Sequence, residues 1–352
     1  MNDLDDQYQE LIWYKAFGLL LLLALLLAAA LFSLSRGAAE ISFVDAYRII
    51  FQRLRGSGDL LETRAAGIVF QLRLPRVLLA AMTGFALGIS GAVMQSIMHN
   101  PLASPYTLGI SSGAALGAAL AIITGGFLFN VTGSTAVVVG AFMMGLLAIF
   151  IINILASLKG GGATLLILAG VALSYLFSSG LSFIQYITDH EELRDLTLWL
   201  MGGVYTARWR DIIFIAPALL LGVLLLLKYA WDINALNAGS EVAANLGINV
   251  RKLRRRTSVL AAFLTSSVIA FTGIIGFVGL VTPHLARMVF GNDSRYLMPA
   301  AGLLGGSFLV GADIISRMII SPAEMPVGII TSAVGAPFFL YMLVRRRRKY
   351  WI

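Results

Sequence analysis

Two groups of charged residues in this 352-residue chain stand at spacings that let them act together. Arg73 and Arg76 flank a proline in Arg73-Leu74-Pro75-Arg76, and Asp313 and Arg317 lie four apart, on one face of any helix that carries them. A guanidinium grips a carboxylate through two parallel hydrogen bonds, so Arg73, Arg76 and Arg317 suit recognition of an acidic partner. Long basic side chains also snorkel to a membrane interface and anchor helices, and Asp313 can neutralise Arg317. The residues alone leave these uses open. Other chemistry is thinner. There is no cysteine, which removes disulfides, thiolate metal sites and thiol nucleophiles. The three histidines, His99, His190 and His284, are too widely spaced for a local metal site. A phosphate-binding loop ends in Gly-Lys-Ser/Thr, and none of the five lysines (Lys15, Lys159, Lys228, Lys252, Lys349) follows a glycine. No catalytic residue, metal or cofactor is therefore assigned. Transport by such a chain must draw on an ion gradient or on a partner that hydrolyses ATP.

The elements that must carry these residues are apolar helices. Hydrophobic residues make up 59% of the chain and charged residues only 12%, against about a quarter charged in soluble domains. Runs long enough to cross a bilayer fall at 14–34, 77–98, 108–128, 135–158, 164–187, 212–229, 257–275, 297–320 and 327–344, and a shorter run at 277–290 reads as a tenth, partial crossing. The acidic start (Asp3, Asp5, Asp6, Glu10) is unlike a signal peptide, so 14–34 is read as a retained first helix. Pairs such as Gly84/Gly88 and Gly113/Gly117 put small residues four apart, the spacing at which transmembrane backbones approach closely. The segments 35–76, 188–211 and 228–256 are not membrane-like. Ten crossings place both termini on one side, together with the basic blocks 251–256 and 345–349, which should be the cytoplasm. That topology puts 15 of the Lys and Arg residues inside and 11 outside. The outside excess comes from seven arginines in 35–76, and an acidic extracytoplasmic partner would account for it.

Several blocks occur in order along the chain: Arg73-Leu74-Pro75-Arg76, Ser90-Gly91-Ala92-Val93-Met94-Gln95, Asn100-Pro101-Leu102-Ala103-Ser104-Pro105, Leu108-Gly109-Ile110-Ser111-Ser112-Gly113-Ala114, Gly276-Phe277-Val278-Gly279-Leu280-Val281-Thr282-Pro283-His284-Leu285-Ala286-Arg287, and Pro322-Ala323-Glu324-Met325-Pro326-Val327-Gly328 with Gly335-Ala336-Pro337-Phe338-Phe339. From about residue 66 to residue 344 the chain resembles the FecCD-type permeases of ABC importers for iron–siderophore complexes, haem and cobalamin. The resemblance implies an all-α, BtuC-like permease fold of about ten transmembrane helices over a single domain, 1–352. It further implies a second permease subunit forming a dimer, two cytoplasmic ATPase subunits and an extracytoplasmic substrate-binding protein.

Each implied contact can be matched to residues. Gly239 and Gly247 bracket a short helix, with Ser240 as a plausible cap. By itself it is a surface helix on the basic side. By the resemblance it is the coupling helix that docks on the ATPase through Ser240, Glu241, Ala244, Leu246 and Gly247. Arg73, Arg76 and Arg317 match the arginines that receive glutamates of the binding protein. Gly160-Gly161-Gly162-Ala163-Thr164 is a flexible tight turn that the resemblance assigns to a cytoplasmic gate at Gly162, Ala163 and Thr164. His284, Gln95 and Asn153 are read as helix-to-helix hydrogen bonders, not cargo ligands. Glu324 either caps the last helix or meets a partner. An ion-coupled secondary transporter is the rival reading. It needs an ionisable group at mid-membrane, and its only candidate, Asp313, lies toward a helix end beside Arg317.

Overall fold

A computed structural model describes residues 2–37, 41–56, 63–158, 162–320 and 323–345. The described residues are helical with short connections: α1 Asn2–Ser35, α2 Phe43–Arg55, α3 Arg64–Gly67, α4 Leu74–Met98, α5 Ile110–Ile123, α6 Ser134–Leu158, α7 Ala163–Ile187, α8 His190–Met201, α9 Trp209–Lys228, α10 Ala230–Asn237, α11 Ser240–Asn245, α12 Val250–Thr272, α13 Val278–Phe290, α14 Ser294–Met318 and α15 Val327–Arg345. Each of the ten apolar runs coincides with a helix. Among the described residues six helices are long and apolar enough to cross a membrane by themselves, and α5, α13 and α15 are shorter apolar helices. At 1.5 Å per residue, the 13 residues of α13 reach about 20 Å, short of a full crossing.

The second crossing starts earlier than the hydropathy suggests. The Thr63 side chain caps the amide of Ala66 (3.3 Å), and the helix runs through a π-helical stretch, Ile68–Arg73, into α4. Pro75 fits in the first turn of α4, where its missing N–H costs nothing. Within the segment 35–76 the described residues form an amphipathic helix, α2, and the start of the second crossing from Arg64 onward.

α4 is the central rod and is buried along nearly its whole length, against α14, α12, α13, α9 and α1. Glycine makes this contact possible. A Cβ on Gly84 would lie 2.1 Å from the Gly305 carbonyl oxygen, and one on Gly88 equally close to that of Ala301. α5 meets α6 in the same way, with Gly117 against Gly140. Large apolar side chains face outward instead, including Trp13, Phe17 and Leu20 on α1, and Tyr175, Phe183 and Tyr186 on α7. Such a surface belongs in lipid or against another apolar chain.

Between α12 and α13 the backbone leaves the helix, with φ of 68° at Gly273 and 66° at Phe277. Peptide groups without helical partners need partners from elsewhere in a low-dielectric setting. The Tyr106 hydroxyl donates to the Ile275 carbonyl (2.7 Å) and accepts from the Ile275 amide (3.3 Å), while the Gly203 amide donates to the Thr272 carbonyl (2.7 Å).

Candidate functional site

The sequence-selected residues gather at opposite ends of α4, whose 25 residues span about 37 Å. At its start lies a cluster of buried charges. Asp313, fully buried, receives the Arg76 Nε at 2.9 Å on one oxygen and lies 3.0 Å from an Arg317 terminal nitrogen on the other. Arg76 reaches on to Glu324 at 2.7 Å, and the Glu324 side chain is 41% exposed. Burying a charge is expensive unless it is paired and hydrogen-bonded, and here two guanidiniums straddle one carboxylate. Glu324, undecided from sequence, is an ion-pair partner.

Arg73 and Arg317 have a second task. Arg73 donates to the Leu34 carbonyl (2.7 Å), and Arg317 donates to the carbonyls of Arg36 (2.7 Å) and Ser33 (3.3 Å) and to the Ser33 hydroxyl. The last carbonyls of a helix have no partner within it, and cations at that end are favoured by its dipole. Two of the three arginines expected to meet an external glutamate thus close the end of α1. All three are buried, at 5%, 8% and 5% exposure for Arg73, Arg76 and Arg317.

At the other end, α11 occupies Ser240–Asn245. Ser240 is the first helical residue and not the cap. The boundary is held by Gly239 at φ 132°, and the Ser240 hydroxyl accepts from Arg254 at 3.2 Å. Gly247, at φ 82°, ends the turn as its amide donates to the Ala244 carbonyl (2.9 Å). Ala243 is fully buried and pins the helix, leaving Glu241, Val242, Ala244 and Leu246 exposed, Leu246 at 67%. Arg254 also donates to the Ile97 carbonyl near the end of α4 (3.0 Å).

The base under α11 is a set of contacts the sequence did not flag. Asn234 of α10 donates to Asp293 (2.7 Å) and accepts from the Ser294 amide (2.7 Å), and Arg295 grips Asp293 at 2.6 Å while lying over the Trp231 ring. Burial would raise the Asp293 pKa, but hydrogen bonds from Arg295 and Asn234 outweigh it and hold the carboxyl down to about 2. His99, just past α4 at φ 48°, bonds the Leu236 carbonyl (2.9 Å).

Of the residues expected at a gate, Gly162 precedes α7 in extended backbone, Ala163 is half-buried and Thr164 exposed; Gly160 and Gly161 lie outside the described residues. Gln95 donates to the Leu280 carbonyl (3.1 Å) and Asn153 to the Ile149 carbonyl (2.8 Å). His284 is half-buried and engaged.

Comparison with known proteins fits this arrangement. The FecCD transport family model matches residues 25–345. The hemin transport system permease protein HmuU of Yersinia pestis is 39% identical over 93% of this chain and 95% of its own length. The molybdate import system permease protein MolB of Haemophilus influenzae is 35% identical over 97% of this chain and 98% of its own. A solved inward-facing conformation of a metal-chelate type ABC transporter superposes with a TM-score of 0.82 at 32% identity, covering 93% of this chain and 99% of that one. With a shared helical fold and a family match over most of its length, this chain belongs to the FecCD transport family, as the non-catalytic membrane permease of an ABC importer for metal chelates.

Proposed function

We propose that the cargo is an iron–siderophore complex, carried inward by a homodimer of this permease with two cytoplasmic ATPase subunits and an extracytoplasmic binding protein. Relatives named for Fe(3+)-citrate import and for iron chelatin transport, 34% and 36% identical, support the iron reading, and relatives named for hemin and cobalamin keep haem and cobalamin as the alternatives. The end of α4 that carries α11 faces the cytoplasm in this reading, and so do both termini. The basic block 251–256 supports that orientation.

The observation that carries the assignment is α11 itself. Val242 and Leu246 are exposed on a turn anchored by Ala243, Arg254 and the layer around Asp293, which suits insertion into a groove of an ATPase. Coupling would run through Ser240, Glu241, Ala244, Leu246 and Gly247. Gly162, Ala163 and Thr164 would form the inner gate at the start of α7. On the outer face Arg76 is the arginine a docking carboxylate can reach, by replacing the half-exposed Glu324. Arg73 and Arg317 would support docking from beneath, by fixing the end of α1.

The test is reconstitution in liposomes with the ATPase and the binding protein of the same system. Ferric siderophore on the binding protein should raise ATP turnover and deliver iron to the lumen containing the ATPase. Stimulation by haem or cobalamin in its place reassigns the cargo. Transport driven by a proton or sodium gradient without the ATPase defeats the mechanism.

A further inference from the structure

A cavity of about 240 Å³ opens where the end of α6 and the start of α7 meet the first turns of α12. Its rim carries Arg251, Lys252, Arg254 and Arg255, with Asn153 and Ser157 opposite, and among the described residues no acidic side chain lines it. Four cations around a space of that size are arranged for an anion. Lys252 and Arg255 are exposed, so they can turn toward it at little cost.

What lies beside the cavity identifies the kind of anion. Phe150, Ile154 and Leu158 follow one another along α6 at helical spacing, exposed at 61%, 46% and 75%, and the stripe ends beside Ser157 at the rim. From Phe150 to Leu158 the helix rises about 12 Å, close to the depth of one leaflet's hydrocarbon. A free phosphate would use the cations and ignore the stripe. A phospholipid uses both, with its acyl chain along α6 and its phosphate in the cavity.

We propose that this cavity binds the headgroup of an anionic phospholipid from the leaflet on the α11 side. Basic pockets between transmembrane helices are suited to such headgroups. The site touches the coupling machinery physically, because Arg254 on the rim also holds the Ser240 hydroxyl and the Ile97 carbonyl. An anion drawn to Arg254 would therefore alter the seat of α11. That consequence rests on the coupling reading, whereas lipid binding itself does not.

The measurement is lipid retention by the purified permease, read by native mass spectrometry after exchange into mixed micelles of phosphatidylglycerol and phosphatidylcholine. The wild type should retain phosphatidylglycerol preferentially, and Lys252→Gln with Arg255→Gln should cut that preference about tenfold while the size-exclusion profile stays unchanged. Millimolar glycerol phosphate should not displace the lipid. Equal retention of both lipids, or a double variant that keeps the preference, overturns the proposal. Displacement by glycerol phosphate makes the site one for free anions, and a double variant that retains lipid unaltered but fails to capture the ATPase in a separate pull-down makes the basic rim a partner contact; either also overturns it. Because retention is measured without the ATPase, its failure is distinguishable from failure of the coupling assignment.

Discussion

The two ends of α4 use charge in opposite ways. At its start, Arg76, Asp313 and Arg317 are buried and their bonds run inward, to the end of α1 and to Glu324. At its far end the charges around Asp293 form a base, and what stands on that base is exposed and partly apolar. The first arrangement makes a rigid face on which something can land. The second presents a small projection that can be gripped and pushed. An importer that receives cargo from one protein and force from another needs both kinds of end.

The largest effect should come from the buried carboxylate. Asp313→Ala leaves the buried Arg317 without its carboxylate and Arg76 with Glu324 alone, and should cost about 3–5 kcal/mol, read as a fall in the thermal unfolding midpoint in detergent. An unchanged midpoint would mean that the cluster at the start of α4 is not what makes that face rigid. Next, Gly84→Val drives a side chain into the Gly305 backbone and should cost about 1–3 kcal/mol or more by the same measurement. At the other end, Asp293→Asn removes the charge that Arg295 grips and should cost about 1–3 kcal/mol. The pH dependence has a fixed sign there. With a folded pKa of about 2, below the ordinary value near 3.9, the Asp293 contribution is complete above about pH 5 and is lost as pH falls toward 2. Glu324→Gln should change stability by less than about 1 kcal/mol, since its side chain is half-exposed, while strengthening binding-protein docking by freeing Arg76. Weaker docking would make Glu324 part of the landing surface and not a placeholder. Smallest in stability is Leu246→Ala, within about 0.5 kcal/mol, yet it should abolish ATPase stimulation. If stimulation survives, α11 is not the coupling element.

Helices were the legible part of the sequence, because apolar runs and small residues four apart report directly on membrane packing. Gly84 and Gly88 meet α14 as that spacing implies. The start of the second crossing was not legible. The apolar run begins only at 77, the helix that Thr63 caps begins at Arg64, and Asp313, which pairs with Arg76, lies 237 residues beyond it. Ser240 looked like a cap because sequence does not disclose that Gly239 takes the boundary conformation. The layer around Asp293 joins α10 to α14 through Asn234, 59 residues away, and no local pattern announces it.

The break between α12 and α13 bears on how the chain is made. Its peptide groups at Ile275 are satisfied by Tyr106, 169 residues earlier. Synthesis runs from the amino end, so the hydroxyl is already in the bilayer when the unwound segment emerges. The first half of the molecule acts as a receptor for the second, and the joint closes only when the two halves meet. Tyr106→Phe should therefore leave the insertion of each helix intact and delay the moment at which a protease can no longer cut between α12 and α13.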